Sequence, residues 1–202
     1  MSSDFKIFVA RNAETGFVNI AEPMAFNSQE NTSKPCTWQT AGATYAVQFI
    51  LKKDDGMALA KGVLQHGASR AAQNTQMGEI KDIHGMKFLD DGRVKFTAKR
   101  KAMQNSGQKA RDVRFVDGQK NAIEDRTIYK GALVNVQFAS APTKTPSTGN
   151  WGMSLFLDAV QLIKQGTPQG EDLLEVLPGS NENPMNSLES DLQEMFAGEE
   201  LL

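Results

Sequence analysis

Cysteine occurs once in this chain of 202 residues, at Cys36, and histidine twice, at His66 and His84. One thiol cannot close an internal disulfide, and two isolated histidines with no partner at ligand spacing make no zinc or iron–sulfur centre. No serine or cysteine nucleophile signature lies beside either histidine, and no glycine-rich loop runs into Lys-Ser or Lys-Thr to cradle a phosphate. The adjacent acids Asp54-Asp55 and Asp90-Asp91 read as cap and turn residues rather than as a cation site. No catalytic residue, metal or cofactor is therefore expected. No run of 18 apolar residues offers a membrane span, and the opening Met1–Arg11, with Asp4 inside it and a short apolar run, does not read as a secretory signal. A reducing cytoplasm fits this composition.

The other conspicuous absence is positional. Residues 171–202 contain no lysine or arginine but nine acids, whereas residues 1–170 hold all 22 basic side chains and 15 acidic ones, net +7. A formal charge of −2 thus conceals a cationic body followed by an anionic tail. About 170 residues suffice for one compact core, so one domain over 1–170 and a mostly disordered acidic tail over 171–202 are expected.

What is present is mainly alternation. Segments Phe5–Ala10, Phe17–Ile20, Ala43–Leu51, Met86–Leu89, Arg93–Lys101, Arg111–Val116, Ala132–Ala139 and Trp151–Ile163 have period-two patterning, are rich in Val, Phe, Ile and Thr, and are separated by Gly, Asp, Asn or Pro. Asp91-Gly92 marks a hairpin turn. One body segment, Asp55 to about Gln73, has helical spacing, with Met57, Ala60, Leu64, Ala68 and Ala71 on one face, Asp54 or Asp55 as cap, and Gly62 and Gly67 weakening it. The stretch Ser140–Asn150 (SAPTKTPSTGN) reads as a long mobile loop between two strong strands. In the tail, Pro178–Pro184 reads as a linker. Residues 186–196 are compatible with a short amphipathic helix carrying Leu188, Leu192, Met195 and Phe196 on one face, a stripe suited to docking on a partner. The same stripe suits docking back on the body. The class is all-β with one or two helices.

The charge excess is concentrated. Between Lys87 and Lys130 stand 12 basic and six acidic residues. On strand Arg93–Lys101 the alternation puts Arg93, Lys95, Thr97, Lys99 and Lys101 on one face and Val94, Phe96 and Ala98 on the other. Lys109, Arg111 and Arg114 extend this row. A solubilising face is one reading, but same-sign clustering points to an anion. The aromatics indicate which. Phe96, Phe138 and Phe156 have core parity, whereas Trp151, flanked by Gly149, Asn150 and Gly152 and close to Lys144, suits a stacking platform for an exposed base; Trp38 and Tyr45 can be read either as core or as platforms. Aromatic faces beside a cationic track suit single strands, because a duplex hides its base faces.

Several stretches resemble the replicative single-stranded DNA-binding proteins of tailed bacteriophages: Ala21–Pro23 (AEP), Tyr45–Asp55 (YAVQFILKKDD), Phe115–Asp125 (FVDGQKNAIED) and Tyr129–Lys164 (YKGALVNVQFASAP to GNWGMSLFLDAVQLIK), in the same order and spacing over most of residues 16–166. That resemblance implies a five-stranded OB-fold β-barrel with one helix, here at about 55–73. It also implies a flexible acidic tail that contacts replication proteins such as a polymerase or helicase-primase, and a location in the cytoplasm of the phage's host. It adds Lys52 and Lys53 of the basic corner to the candidate DNA-binding residues and makes 140–150 the loop between the last two barrel strands, a usual ligand-binding loop in this fold. The tail departs from the family pattern, ending Glu199-Glu200-Leu201-Leu202 rather than in acids and a final aromatic. Two other readings stay open: a protein-interaction adaptor, and a duplex-binding architectural protein using the same charges. The sequence also leaves a homodimer open.

Overall fold

A computed structural model describes residues 5–145 and 148–167. The acidic tail and the helix expected at 186–196, with Leu188, Leu192, Met195 and Phe196, lie outside the described residues. In chain order the elements are β1 (Lys6–Asn27), β2 (Thr32–Pro35), β3 (Thr44–Leu51), α1 (Lys53–Gln73), β4 (Lys87–Phe88), β5 (Val94–Lys101), β6 (Arg114–Val116), β7 (Leu133–Lys144) and β8 (Trp151–Lys164).

The hydrogen-bonded order is β4-β5-β3-β1-β7-β8-β6, and a parallel contact of β5 with β8 at Lys99 and Phe156 joins the path to itself. Strands β1, β3, β5, β7 and β8 thereby close a five-stranded barrel, the OB-fold that the resemblance implied. The two segments Phe5–Ala10 and Phe17–Ile20, read separately from the alternation, are parts of one strand of 22 residues. It pairs with β7 from Lys6 to Glu14 and with β3 from Glu14 to Met24, and register shifts after Ala10, Thr15 and Asn19 let it bend from one neighbour to the other. At the first shift Asn12 adopts φ 49°, a conformation asparagine tolerates better than most residues, and its backbone N–H donates to Asn135 Oδ1 at 2.9 Å.

Inside the barrel Phe49 stacks on Phe96 with centroids 5.4 Å apart, Phe138 lies 5.7 Å from Phe49, and Val47, Val94, Val134, Val136 and Val160 fill the remainder. Helix α1 packs on the barrel through its smallest side chains. Gly56, Ala60, Val63 and Gly67 are its buried residues, whereas Met57 and Ala68, expected on the inner stripe, are exposed. A Cβ at Gly56 would stand 2.6 Å from Val94 Cβ, and one at Gly67 2.7 Å from Met153 Sδ. Of the expected stripe Ala60 is buried and Leu64 and Ala71 pack on the core, while the glycines permit the close approach of helix and barrel that turns Gly56, Val63 and Gly67 inward in place of Met57 and Ala68. The capping expectation also changes: Lys52 holds the cap position without a side-chain bond, and Asp54 and Asp55 sit in the first turn, where their charges favour the positive end of the helix dipole.

The loop expected at 140–150 is shorter. Strand β7 continues to Lys144, pairing Ser140 with Leu155 and Lys144 with Trp151. Among the described residues the pairing of β1 with β7 ends at Lys6 and Ser140, so Pro142, which has no N–H, is paired with β8 alone, opposite Met153. Thr145 and Asn150 close the hairpin through a backbone bond of 2.8 Å.

Candidate nucleic-acid interface

On β5 the alternation behaves as expected: Val94, Phe96 and Ala98 are fully buried, and Lys95, Thr97, Lys99 and Lys101 point outward. What the outward row faces is set by the barrel closure. Lys99 stands opposite Phe156 of β8, and Lys101 opposite Thr44 of β3. Above Phe156, toward the start of β8, the two strands separate and the segment Asp82–Met86 is wedged between them. His84 N–H donates to the Met153 carbonyl at 2.8 Å, Met153 N–H to the Asp82 carbonyl at 3.0 Å, and Thr97 Oγ1 to the Gly85 carbonyl at 3.3 Å. Gly152 makes this possible, since a Cβ there would overlap Asp82 Oδ1 and the His84 ring.

The result is an open groove of about 480 Å³ on the outer face. Its floor is Thr97, Lys99, Ser154 and Phe156, and Lys101, Thr44, His84 and the β7 end at Thr143–Thr145 form its walls. Lys99, Lys101 and Lys144 make no ion pair with any described residue. Phe156 was expected inside from its parity. It is instead 37% exposed and meets Phe5 edge-to-face with centroids 5.6 Å apart. Leu155 and Leu157 take the inward positions, so Phe156 must face out, and a register shift near Asp158 then returns Val160 to the core. The groove thus combines unpaired ammonium groups, hydroxyls and one exposed ring, the elements that hold phosphates and an unstacked base.

The other basic candidates divide by pairing. Arg93 lies between Glu14, 2.6 Å from Nη1, and Asp91, 2.7 Å from Nε, so its charge is already answered. The backbone and side-chain bonds from Arg93 hold the Asp91 carboxyl below its usual range. Arg114 pairs with Asp158 at 2.8 Å, and Arg100 approaches the same carboxylate at 3.7 Å. Burial works to raise the Asp158 carboxyl, but the bonds from Arg114 and Gln137 prevail and leave it lowered. Lys109 pairs with Asp112 at 3.1 Å. Lys95, further along the row, has no ion-pair partner among the described residues, and Arg111 is exposed. Lys52 and Lys53 stand exposed at the start of α1, Lys52 in a separate hollow with Arg11 and Asp55.

The aromatic candidates are redistributed as well. Tyr45 is 4% exposed, on the inward face of β3, and burial raises its phenol above the ordinary value; it has no face to offer a base. Trp38 is half-buried against the core. Trp151 shares the inward parity of Met153 and Leu155 and is half-buried, packed on Gly78 in a hollow beside Glu79 and Asp82, outside the Lys99 groove. The sequence signal that could have found Phe156 is the run Leu155-Phe156-Leu157, three large apolar residues of which a single strand can bury only alternate ones.

Among the described residues no helix is long and apolar enough to cross a membrane, and no three His, Cys, Asp or Glu side chains gather at a possible metal site. No family model and no curated protein matches the chain. Solved structures do. The single-stranded DNA-binding protein gp2.5 of bacteriophage T7 superposes with a TM-score of 0.54 at 18% identity, covering 85% of this chain and 96% of that one. The single-stranded DNA-binding protein of bacteriophage Enc34 superposes at 0.56, with 14% identity and coverage of 84% and 87%. The same Enc34 protein in complex with single-stranded DNA gives 0.54 at 14% identity, covering 81% and 89%.

Proposed function

We propose that this chain is a non-catalytic, sequence-tolerant single-stranded DNA-binding protein, phage-encoded, that coats replication or recombination intermediates in the host cytoplasm. The observation that carries the reading is the groove itself, where Lys99, Lys101 and Lys144, unpaired among the described residues, surround the exposed ring of Phe156. Ammonium groups without protein counterions exchange solution counterions for phosphates, and a half-exposed phenyl ring stacks on any base, so affinity comes without sequence preference. Likeness in fold to phage proteins named for binding single strands supports the same ligand. The acidic segment 171–202, with its apolar stripe, is assigned to the recruitment of other replication proteins.

Titration of labelled oligo-dT and of a duplex of equal length, each at two salt concentrations, tests the reading. Preferential, salt-sensitive binding of the single strand is expected. Equal or tighter binding of the duplex would favour an architectural role, and no binding of either would leave the barrel as an interaction module.

A further inference from the structure

The outward face that carries the Lys99 groove continues past it toward the other end of β5, where a second hollow of about 710 Å³ opens. Phe17, Ile128 and Tyr129 supply its apolar surface, Gln48 and Ile50 of β3 its floor, and Lys95 and Lys130 its charge. Phe17 is 48% exposed, although it lies within the strand that crosses the middle of the barrel. The register shift between Thr15 and Val18 inserts one extra residue there and turns the ring outward. Tyr129 is equally well placed. Its carbonyl accepts from Thr15 Oγ1 at 2.9 Å, its N–H donates to Gln165 Oε1 at 3.1 Å, and Gly131 N–H donates to the Thr15 carbonyl at 2.9 Å, so the turn that bears Tyr129 and Lys130 is fixed to β1. The neighbouring carboxylate on β1, Glu14, is held by Arg93, and neither Lys95 nor Lys130 has an ion-pair partner among the described residues.

We propose that Phe17, Ile128 and Tyr129, with Lys95 and Lys130, form a second base-binding subsite for the same DNA strand that occupies the Lys99 groove, so that the site is bipartite. The inference rests on the single-strand reading above and adds to it a defined second contact. Lys95 and Lys101 are six residues apart on β5, about 20 Å. A strand advances about 3.4 Å per nucleotide when stacked and about twice that when extended, which puts the subsites about three to six nucleotides apart. Between them the strand crosses Thr97 and Gln48, polar side chains with no charge to repel it. An oligonucleotide shorter than the span fills one subsite only, and a longer one gains from both because its second contact is intramolecular.

The test compares oligo-dT of about 2 nucleotides, shorter than the span, with oligo-dT of about 12, within the range one such barrel holds. The full chain, Phe17→Ala/Tyr129→Ala, Lys130→Glu and Lys99→Ala/Lys101→Ala are titrated with each, and melting temperatures confirm folding. The second-subsite variants should lose about fivefold or more in affinity for the longer oligonucleotide, the scale of one lost stacking contact, and little for the shorter. Should Phe17→Ala/Tyr129→Ala fold poorly, Lys130→Glu, at an exposed turn position, gives the same comparison without touching packing. If the Lys99 variant weakens binding and the second-subsite variants bind the longer oligonucleotide as tightly as the unaltered chain, the bipartite site is refuted and the single-strand reading survives. If the unaltered chain binds neither oligonucleotide, both fall.

Discussion

Replacing Lys99, Lys101 and Lys144 together with alanine should remove a defined portion of the salt dependence of single-strand binding. Each ammonium is unpaired among the described residues and lines one groove, so each is counted as one phosphate contact. For single strands every contact adds about 0.7 to the slope of log affinity against log salt, so the triple change should flatten the slope by about 2. Between about 50 and about 200 mM salt the unaltered chain should then lose about an order of magnitude more affinity than the variant. The control comes from the residue just before β5. Arg93 is equally basic but is held by Glu14 and Asp91, so the charge-neutral double change Asp91→Asn/Arg93→Gln should leave the slope where it was. Anisotropy of a labelled oligo-dT at four or five salt concentrations measures both, and thermal melting confirms that each variant folds. An unchanged slope in the triple variant, or an equal loss in the Arg93 double, would refute the argument that pairing decides which cations reach phosphate.

Three further outcomes follow from the packing. Phe156→Ala should weaken oligo-dT binding by about 1–3 kcal/mol with little loss of stability, whereas Trp151→Ala, which removes a ring packed against the core, should mainly lower the melting temperature; the reverse pattern would exchange their roles. Gly56→Ala should destabilise the protein even though alanine favours a helix by about 1 kcal/mol, because the new methyl meets Val94 and overpacking costs about 1–3 kcal/mol; a raised melting temperature in a thermal scan would contradict the close approach. Asp158, Asp117 and Asp125 all have carboxyls lowered in the folded state, so their stabilisation is present above the ordinary carboxylate pKa of about 4 and is lost as pH falls through the folded values. Melting temperature should therefore drop on acidification, and Asp158→Asn should shrink that drop.

Much of this protein is local and so was legible in the chain. Alternation on β5 correctly assigned Val94, Phe96 and Ala98 to the core and the lysines to the surface, because a strand offers only two faces. Helical spacing located α1 to within two residues at its start. The division of charge at about residue 170 needs no structure at all.

Tertiary structure decided what depends on distant partners. Arg93 and Lys99 share one parity in the sequence, and what distinguishes them is pairing, with Asp91 two residues away and with Glu14 79 residues away. Tyr45 could be core or platform and Phe156 was expected in the core; the inward face of β3 buried the first, and Leu155 and Leu157, taking the inward positions of β8, exposed the second. The part that Gly56 and Gly67 play in the inner face of α1 was hidden for a related reason: contact through them depends on where Val94 and Met153 stand, and glycine carries no hydrophobic signal of its own. Sequence by itself determined the two faces of β5, the place of the helix and the charge asymmetry, since these follow from backbone periodicity and composition. Which cations stay unpaired and which ring stands among them were decided by the folded barrel, because pairing and exposure are properties of neighbours in space.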